Sequence, residues 1–209
     1  MRAAARSRAG FTVIELLLAV AITSLLGLAI AAGLSASMMA YGTTSQSAAV
    51  SGDARRAVNQ ALAMIRTSRL HDAYDPDQPG LTLVSPGHAN DPLPTVGVMM
   101  QRPDGTQIRI WWAADDAYGQ AMLGDLWVQQ GAATPQPLVR RVRAQGSAGS
   151  PHVFTLASRT SDEGLLLARA TLEIVVEPDA TNSLAIESAA GRTAPVHLIR
   201  SVVPRANLD

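Results

Sequence analysis

The chain has no cysteine and no lysine; all 17 of its basic residues are arginine. Without a thiol there is no disulfide, no thiolate zinc site and no cysteine nucleophile. Charge of either sign is scarce, at 16% of residues, where a soluble globular chain carries about 25%. The 17 arginines meet 17 acids, for a net charge of zero. That balance excludes the basic surplus of a general nucleic-acid binder and the high net charge of a disordered chain. With 209 residues there is room for one ordinary domain plus an appendage, not for two large domains.

The zero conceals an uneven distribution. Residues 1–10 hold Arg2, Arg6 and Arg8 and no acid. The next stretch, 11–34, has Glu15 as its only charge, and residues 16–52 are 37 consecutive uncharged positions. Beyond the first ten residues, 14 arginines face 17 acids, a net of −3. An apolar run of about 18 residues or more reads as a membrane span. Residues 16–34 form such a run, about 28 Å long as a helix. The three leading arginines place residues 1–10 in the cytoplasm by the positive-inside rule, with the bulk of the chain across the membrane. A buried core helix is the bland alternative, but core helices rarely go so long without charge.

Three readings of this segment compete. A cleaved secretory signal would use residues 29–31 (Ala-Ile-Ala) as its small-residue exit. An uncleaved signal anchor needs only the apolar run. Neither has a use for Glu15, a carboxylate that is costly inside an apolar span. The third reading rests on the string Arg8-Ala9-Gly10-Phe11-Thr12-Val13-Ile14-Glu15-Leu16-Leu17. It closely resembles the type IV prepilin signal: a short basic leader, a Gly, then Phe-Thr, two aliphatics and Glu-Leu-Leu opening an apolar helix. The family includes type IV pilins and the pseudopilins of type II secretion and competence.

The resemblance implies a cut between Gly10 and Phe11 by a membrane prepilin peptidase, which also N-methylates Phe11. It implies that the apolar helix stays on the mature protein, anchors it in the lipid bilayer, and later packs against other subunits' helices in a fibre. Glu15, the fifth mature residue, would then face the Phe11 amine of a neighbouring subunit, since a buried charge needs a partner. Other implied partners are minor pseudopilins or pilins and an inner-membrane assembly platform. The implied location is the bacterial inner membrane, single-pass, with the N-terminus cytoplasmic and the C-terminal domain periplasmic. The span lacks the mid-helix Pro of many major pilins, and the missing cysteines rule out their C-terminal disulfide. Both departures favour a minor or pseudopilin-type subunit. Residues 137–142 and 168–174 resemble J-type minor pseudopilins of type II secretion, and minor pilins of the PilW sort remain open.

Residues 35–70 read as a helical stem. Residues 35–52 are small and polar. In 53–70, Val58, Ala61, Leu62 and Ile65 share one stripe, and Asp53 is placed as an N-cap or first-turn residue. The domain follows at 71–209. Residues 71–94 carry five Pro and four Asp and read as a long loop. Strands are expected at 96–101 and 107–112, joined by an Arg-Pro-Asp-Gly-Thr hairpin turn. Further strands are expected at 126–129, 138–142, 153–157, 167–176 and 196–203. Pro135, Pro137, Pro178 and Pro195 fall at the edges of these runs. The fold class is α+β, with a long N-terminal helix on a mostly antiparallel sheet, as the pilin-like resemblance implies.

No enzyme is expected. His71, His88, His152 and His197 have no metal-ligand spacing. No GxSxG elbow and no Gly-rich phosphate loop appears, and no cofactor or metal is expected. Asp115-Asp116 and Asp162-Glu163 are acidic pairs that can in principle do acid–base work, though exposed pairs are usually just solvated. Asp72, Asp75 and Asp77 could supply oxygen ligands to calcium, but the spacing is not an EF-hand and a solvated loop is the simpler account. Trp111-Trp112 on a strand puts one indole on each face. One is expected in the core; the other, if exposed, is a candidate contact for a partner subunit. A different class of function also remains: a membrane-anchored or secreted periplasmic β domain that binds a ligand.

Overall fold

The computed structural model describes residues 11–77, 92–161, 164–178 and 195–205. The chain divides into two compact units, Met1–Ser45 and Gln46–Asp209. One helix, α1 (Val13–Thr67, 55 residues), begins in the first and ends in the second.

No proline occurs before Pro76, so nothing removes a donor from the helical ladder. The helix therefore runs unbroken through Asp53. That corrects the expectation of a cap there: Asp53 lies inside α1 and pairs with Arg56 one turn on. From residue 54 a stripe of Ala54, Ala57, Val58, Ala61, Leu62, Met64 and Ile65 is buried, at the three- and four-residue spacing of a core-facing helix. The last carbonyls find donors. Ser68 Oγ donates to Met64 O at 2.7 Å, Thr67 Oγ1 to Ala63 O at 2.9 Å, and His71 Nε2 to Ile65 O at 2.8 Å. These satisfy groups that a helix end leaves open.

Next come β1 (Leu70–Tyr74), β2 (Leu93–Thr95), β3 (Gly97–Gln101), β4 (Gln107–Ala114), β5 (Leu123–Gln130) and β6 (Gln136–Arg143). Then follow β7 (Gln145–Ser147), β8 (Ser150–His152), β9 (Phe154–Ser161), β10 (Gly164–Val176) and β11 (Val196–Val202). Among the described residues the main sheet runs β1-β3-β4-β5-β6-β10-β9-β2, with β11 on β10, and every pair is antiparallel. β7 and β8 form a separate hairpin. The fold is α+β, with a long N-terminal helix and a mostly antiparallel sheet domain.

The long loop expected at 71–94 is in part strand. Leu70–Tyr74 pairs with Gly97–Gln101 before the first proline, and Leu93–Thr95 pairs with β9, its Pro94 exposed on the sheet's edge strand as strand proline should be. The hairpin of 102–106 forms as expected. Arg102 N donates to Thr106 O at 2.9 Å, Gly105 N to Arg102 O at 3.0 Å, and Gly105 sits at φ 86°, a backbone state suited to glycine.

One face of the sheet carries Val98, Met100, Ile108, Ile110, Trp112, Leu126, Phe154, Leu156, Leu172 and Ile174, clustered in one core with the buried stripe of α1. Trp111 and Trp112 do point to opposite faces, but both are buried, at 9% and 4% exposure. Trp112 Nε1 donates to Val142 O at 2.9 Å. On the other face Trp111 meets Tyr74 edge-on, with centroids 5.7 Å apart. Gly97 lies between them; a Cβ there would come within 2.7 Å of Trp111 Cβ and 2.8 Å of Tyr74 O. Trp111 is thus no exposed partner contact, because β1, absent from the expected strands, supplies the ring that covers it.

His71 ties the helix end to β1. Burial holds its pKa below the usual histidine value, against the pull of the Ile65 carbonyl and of Asp72. The unfolded chain therefore binds the proton more readily. Its stabilising contribution is full above about pH 6.5 and is lost as pH falls below that. Asp72, pushed up by burial, acts in the opposite sense at lower pH, from about pH 4 upward. We expect the denaturation midpoint of the full chain to fall from pH 7 to pH 5. In His71→Gln, whose amide can still donate to Ile65 O, that slope should flatten. An unchanged slope would remove His71 as its source.

Candidate functional site

The candidate site is the start of α1. Thr12 and Glu15 form a reciprocal cap. Glu15 N donates to Thr12 Oγ1 at 3.3 Å, while Glu15 Oε2 accepts from both Thr12 N and Thr12 Oγ1 at 3.0 Å. This is the capping box of a helix N-terminus, and the first helical bond, Leu16 N to Thr12 O, closes at 3.2 Å. Sequence reading picked Glu15 for its cost in an apolar run. Thr12 stands in the same signal string, but its role as the cap, which the spacing Thr-x-x-Glu spells, is a finding of the structure.

Behind the cap the helix carries a mean hydropathy of 2.5 in its most apolar 18-residue window, with none of that window buried by the chain itself. By length and composition it can cross a membrane. Its few hydroxyls are satisfied internally: Thr23 Oγ1 donates to Ala19 O at 2.7 Å and Ser24 Oγ to Val20 O at 2.8 Å. Such back-bonding leaves no free donor to face lipid. Ala19, Thr23, Gly27 and Ala31 follow each other at four-residue spacing, a pattern that lets apolar helices approach closely. A Cβ at Gly27 or Gly33 would meet nothing within 4 Å, so neither glycine is required by this chain's own packing.

Phe11 is 83% exposed. Gly10 lies outside the described residues, as do Arg2, Arg6, Arg8, His88, Asp162 and Glu163. The other candidates are not brought together. His71, His152 and His197 sit on β1, β8 and β11, and His197 pairs with Glu173 at 3.0 Å. Asp115 caps a short 3-10 turn, Asp116–Tyr118, by accepting from Ala117 N at 3.0 Å. Asp75 accepts from Asp77 N at 2.9 Å in a tight turn, while Asp72 lies on β1. Among the described residues no three His, Asp or Glu side chains are grouped to hold a metal ion.

Sequence reading also gave no sign of a buried carboxylate. Asp125, 5% exposed, accepts from Tyr118 Oη at 2.9 Å and from Arg141 N at 3.1 Å. It sits where the β5–β6 register slips, and Arg141 opposite takes a left-handed φ of 56°.

Residues 5–31, at the N-terminus of the 209-residue chain, match the family model described as the prokaryotic N-terminal methylation motif. Comparison with curated proteins and with solved structures finds no match. The match covers residues 5–10 of the leader, the Thr12–Glu15 cap and most of the apolar run, and it supports a type IV pilin-like protein that is processed by a prepilin peptidase, anchored in a membrane and assembled with other pilins.

Proposed function

We propose that the chain is a non-enzymatic minor subunit of a type II secretion pseudopilus. A prepilin peptidase cuts it between Gly10 and Phe11 and methylates the Phe11 amine. The subunit is held in the inner membrane by residues 11–34, with its domain in the periplasm, and it joins other minor subunits in the complex that starts the fibre. One observation carries this reading: the methylation motif opens directly onto a capped helix whose apolar residues the chain leaves exposed, among them Leu16, Leu17, Leu25 and Leu28. Surface of that extent needs lipid or other helices to cover it. The absent cysteines and the proline-free span favour a minor subunit over a major one.

The N-terminus of the mature protein tests the reading. Mass spectrometry of the membrane-extracted protein should find N-methyl-phenylalanine at Phe11. An intact Met1, or a start after Ala31, would sink it. Deleting the gene should stop export of folded exoproteins. Loss of surface pili with secretion intact would move the subunit to a type IV pilus.

A further inference from the structure

A groove of about 780 Å³ opens within the second unit, between residues 50–60 of α1 and the ends of β6 and β10. Its floor is apolar: Ala54, Ala57, Val139 and Val176 are buried in it, and the half-buried Val50 and Leu138 are its open part. Its rim is charged, and most of those charges are already matched. Asp53 pairs with Arg56, and Glu177 pairs with Arg143. Arg140 and Arg141 remain, with no carboxylate partner among the described residues.

Arg141 is held in place by its surroundings. Its N–H is tied to buried Asp125, whose same oxygen takes the Tyr118 hydroxyl. The Arg141 guanidinium lies over the Tyr118 ring, Cζ 5.0 Å from the centroid. Its Nε is buried and has no acceptor. A non-glycine residue at φ 56° persists only where the surrounding structure enforces it, and such residues cluster at binding sites. The β-bulge that carries it has the same bias.

We propose that this groove docks an acidic, partly apolar segment of a neighbouring, different fibre subunit, its carboxylates meeting Arg140 and Arg141 and its apolar side chains covering the half-buried Val50 and Leu138. Guanidinium forks suit carboxylates in bidentate geometry. An inorganic anion would leave the apolar floor wet, which a polypeptide does not. The proposal rests on the fibre-subunit reading above.

The test uses the full chain in cells that build the fibre, with a benzophenone amino acid at Leu138 in the groove or, separately, at Leu25 on the apolar helix. Cross-linked peptides are identified by mass spectrometry. At Leu138 we expect a peptide from a different fibre subunit with Asp or Glu beside the cross-link. Arg140→Glu with Arg141→Asn should cut its yield about tenfold, as expected for losing a charge-assisted contact, leave the Leu25 yield unchanged, and lower the melting temperature by no more than a few degrees for the lost stacking on Tyr118. Asn is chosen because it tolerates the left-handed backbone. Cross-links at Leu25 with none at Leu138 overturn the groove and leave the fibre reading standing. So do cross-links at Leu138 to lipid, to a second copy of this chain or to an uncharged segment, or a yield indifferent to the arginines. No subunit cross-link at either position overturns both.

Discussion

Replacing Glu15 by Gln is expected to leave the protein capped, folded and in the membrane, yet to reduce its entry into fibres on the order of a hundredfold. The two roles of Glu15 separate chemically. Three residues after the cap of a capping box, Gln serves nearly as well as Glu, so the bonds from Thr12 N and Thr12 Oγ1 can be kept by the amide oxygen. What Gln lacks is the negative charge. If fibre packing carries Glu15 out of water beside the Phe11 ammonium of a neighbour, that ammonium has no counter-charge in the variant, and an unpaired buried charge is strongly destabilising. Thr12→Ala is the converse change: it weakens the cap and keeps the charge, so a loss of only a few-fold is expected, in line with the modest worth of a cap. The measurement is an immunoblot of the sheared fibre fraction against the membrane fraction. Wild-type assembly of Glu15→Gln would show that the charge is not used. Equal losses in both variants would show that the cap, not the charge, is what assembly needs.

The cap also changes how the unassembled subunit is pictured. In the single chain the carboxylate already has Thr12 for company, so it need not wait unpartnered at the membrane surface. On the proposed reading, assembly is an exchange of a local hydrogen-bonded partner for a charged one on another subunit.

How much of this was legible depended on range. The span was legible because a helix packed in a soluble core seldom leaves its polar face without charge, and here 37 positions in a row carry none. The 102–106 turn was legible because Pro-Asp-Gly fixes backbone angles locally. The buried stripe of α1 followed from its spacing. The helix's continuity through Asp53 did not, because an acid at the edge of a polar stretch looks like a cap when an absence of proline is the better guide. β1 was hidden because proline and aspartate dominate the residues after it, while its own pairing comes from Gly97–Gln101, more than twenty residues on. The Asp125–Tyr118–Arg141 cluster was out of reach altogether. It exists only because the β5–β6 register slips there, and register is a property of two strands together.

The same difference of range sets the last expectation. Read along one strand, Trp111 and Trp112 divide into a core residue and a candidate contact. In the folded domain both are enclosed, so both Trp→Ala changes should destabilise by about 3–5 kcal/mol, or roughly 10 °C in melting temperature for a domain of this size. Trp112 should lie at the upper end. Its loss opens a cavity in the core beside Leu126 and also removes the indole's hydrogen bond to Val142 O, a bond worth about 1 kcal/mol. Trp112→Phe isolates that second part. Trp111→Ala removes the edge-on contact with Tyr74 and leaves Gly97 beneath it uncovered, on the opposite face of the sheet. Calorimetry of the full chain in detergent reads all of these. If Trp111→Ala melts with the wild type and fails only in assembly, then Trp111 faces a partner after all, and the packing of β1 over it is not what the protein uses in solution.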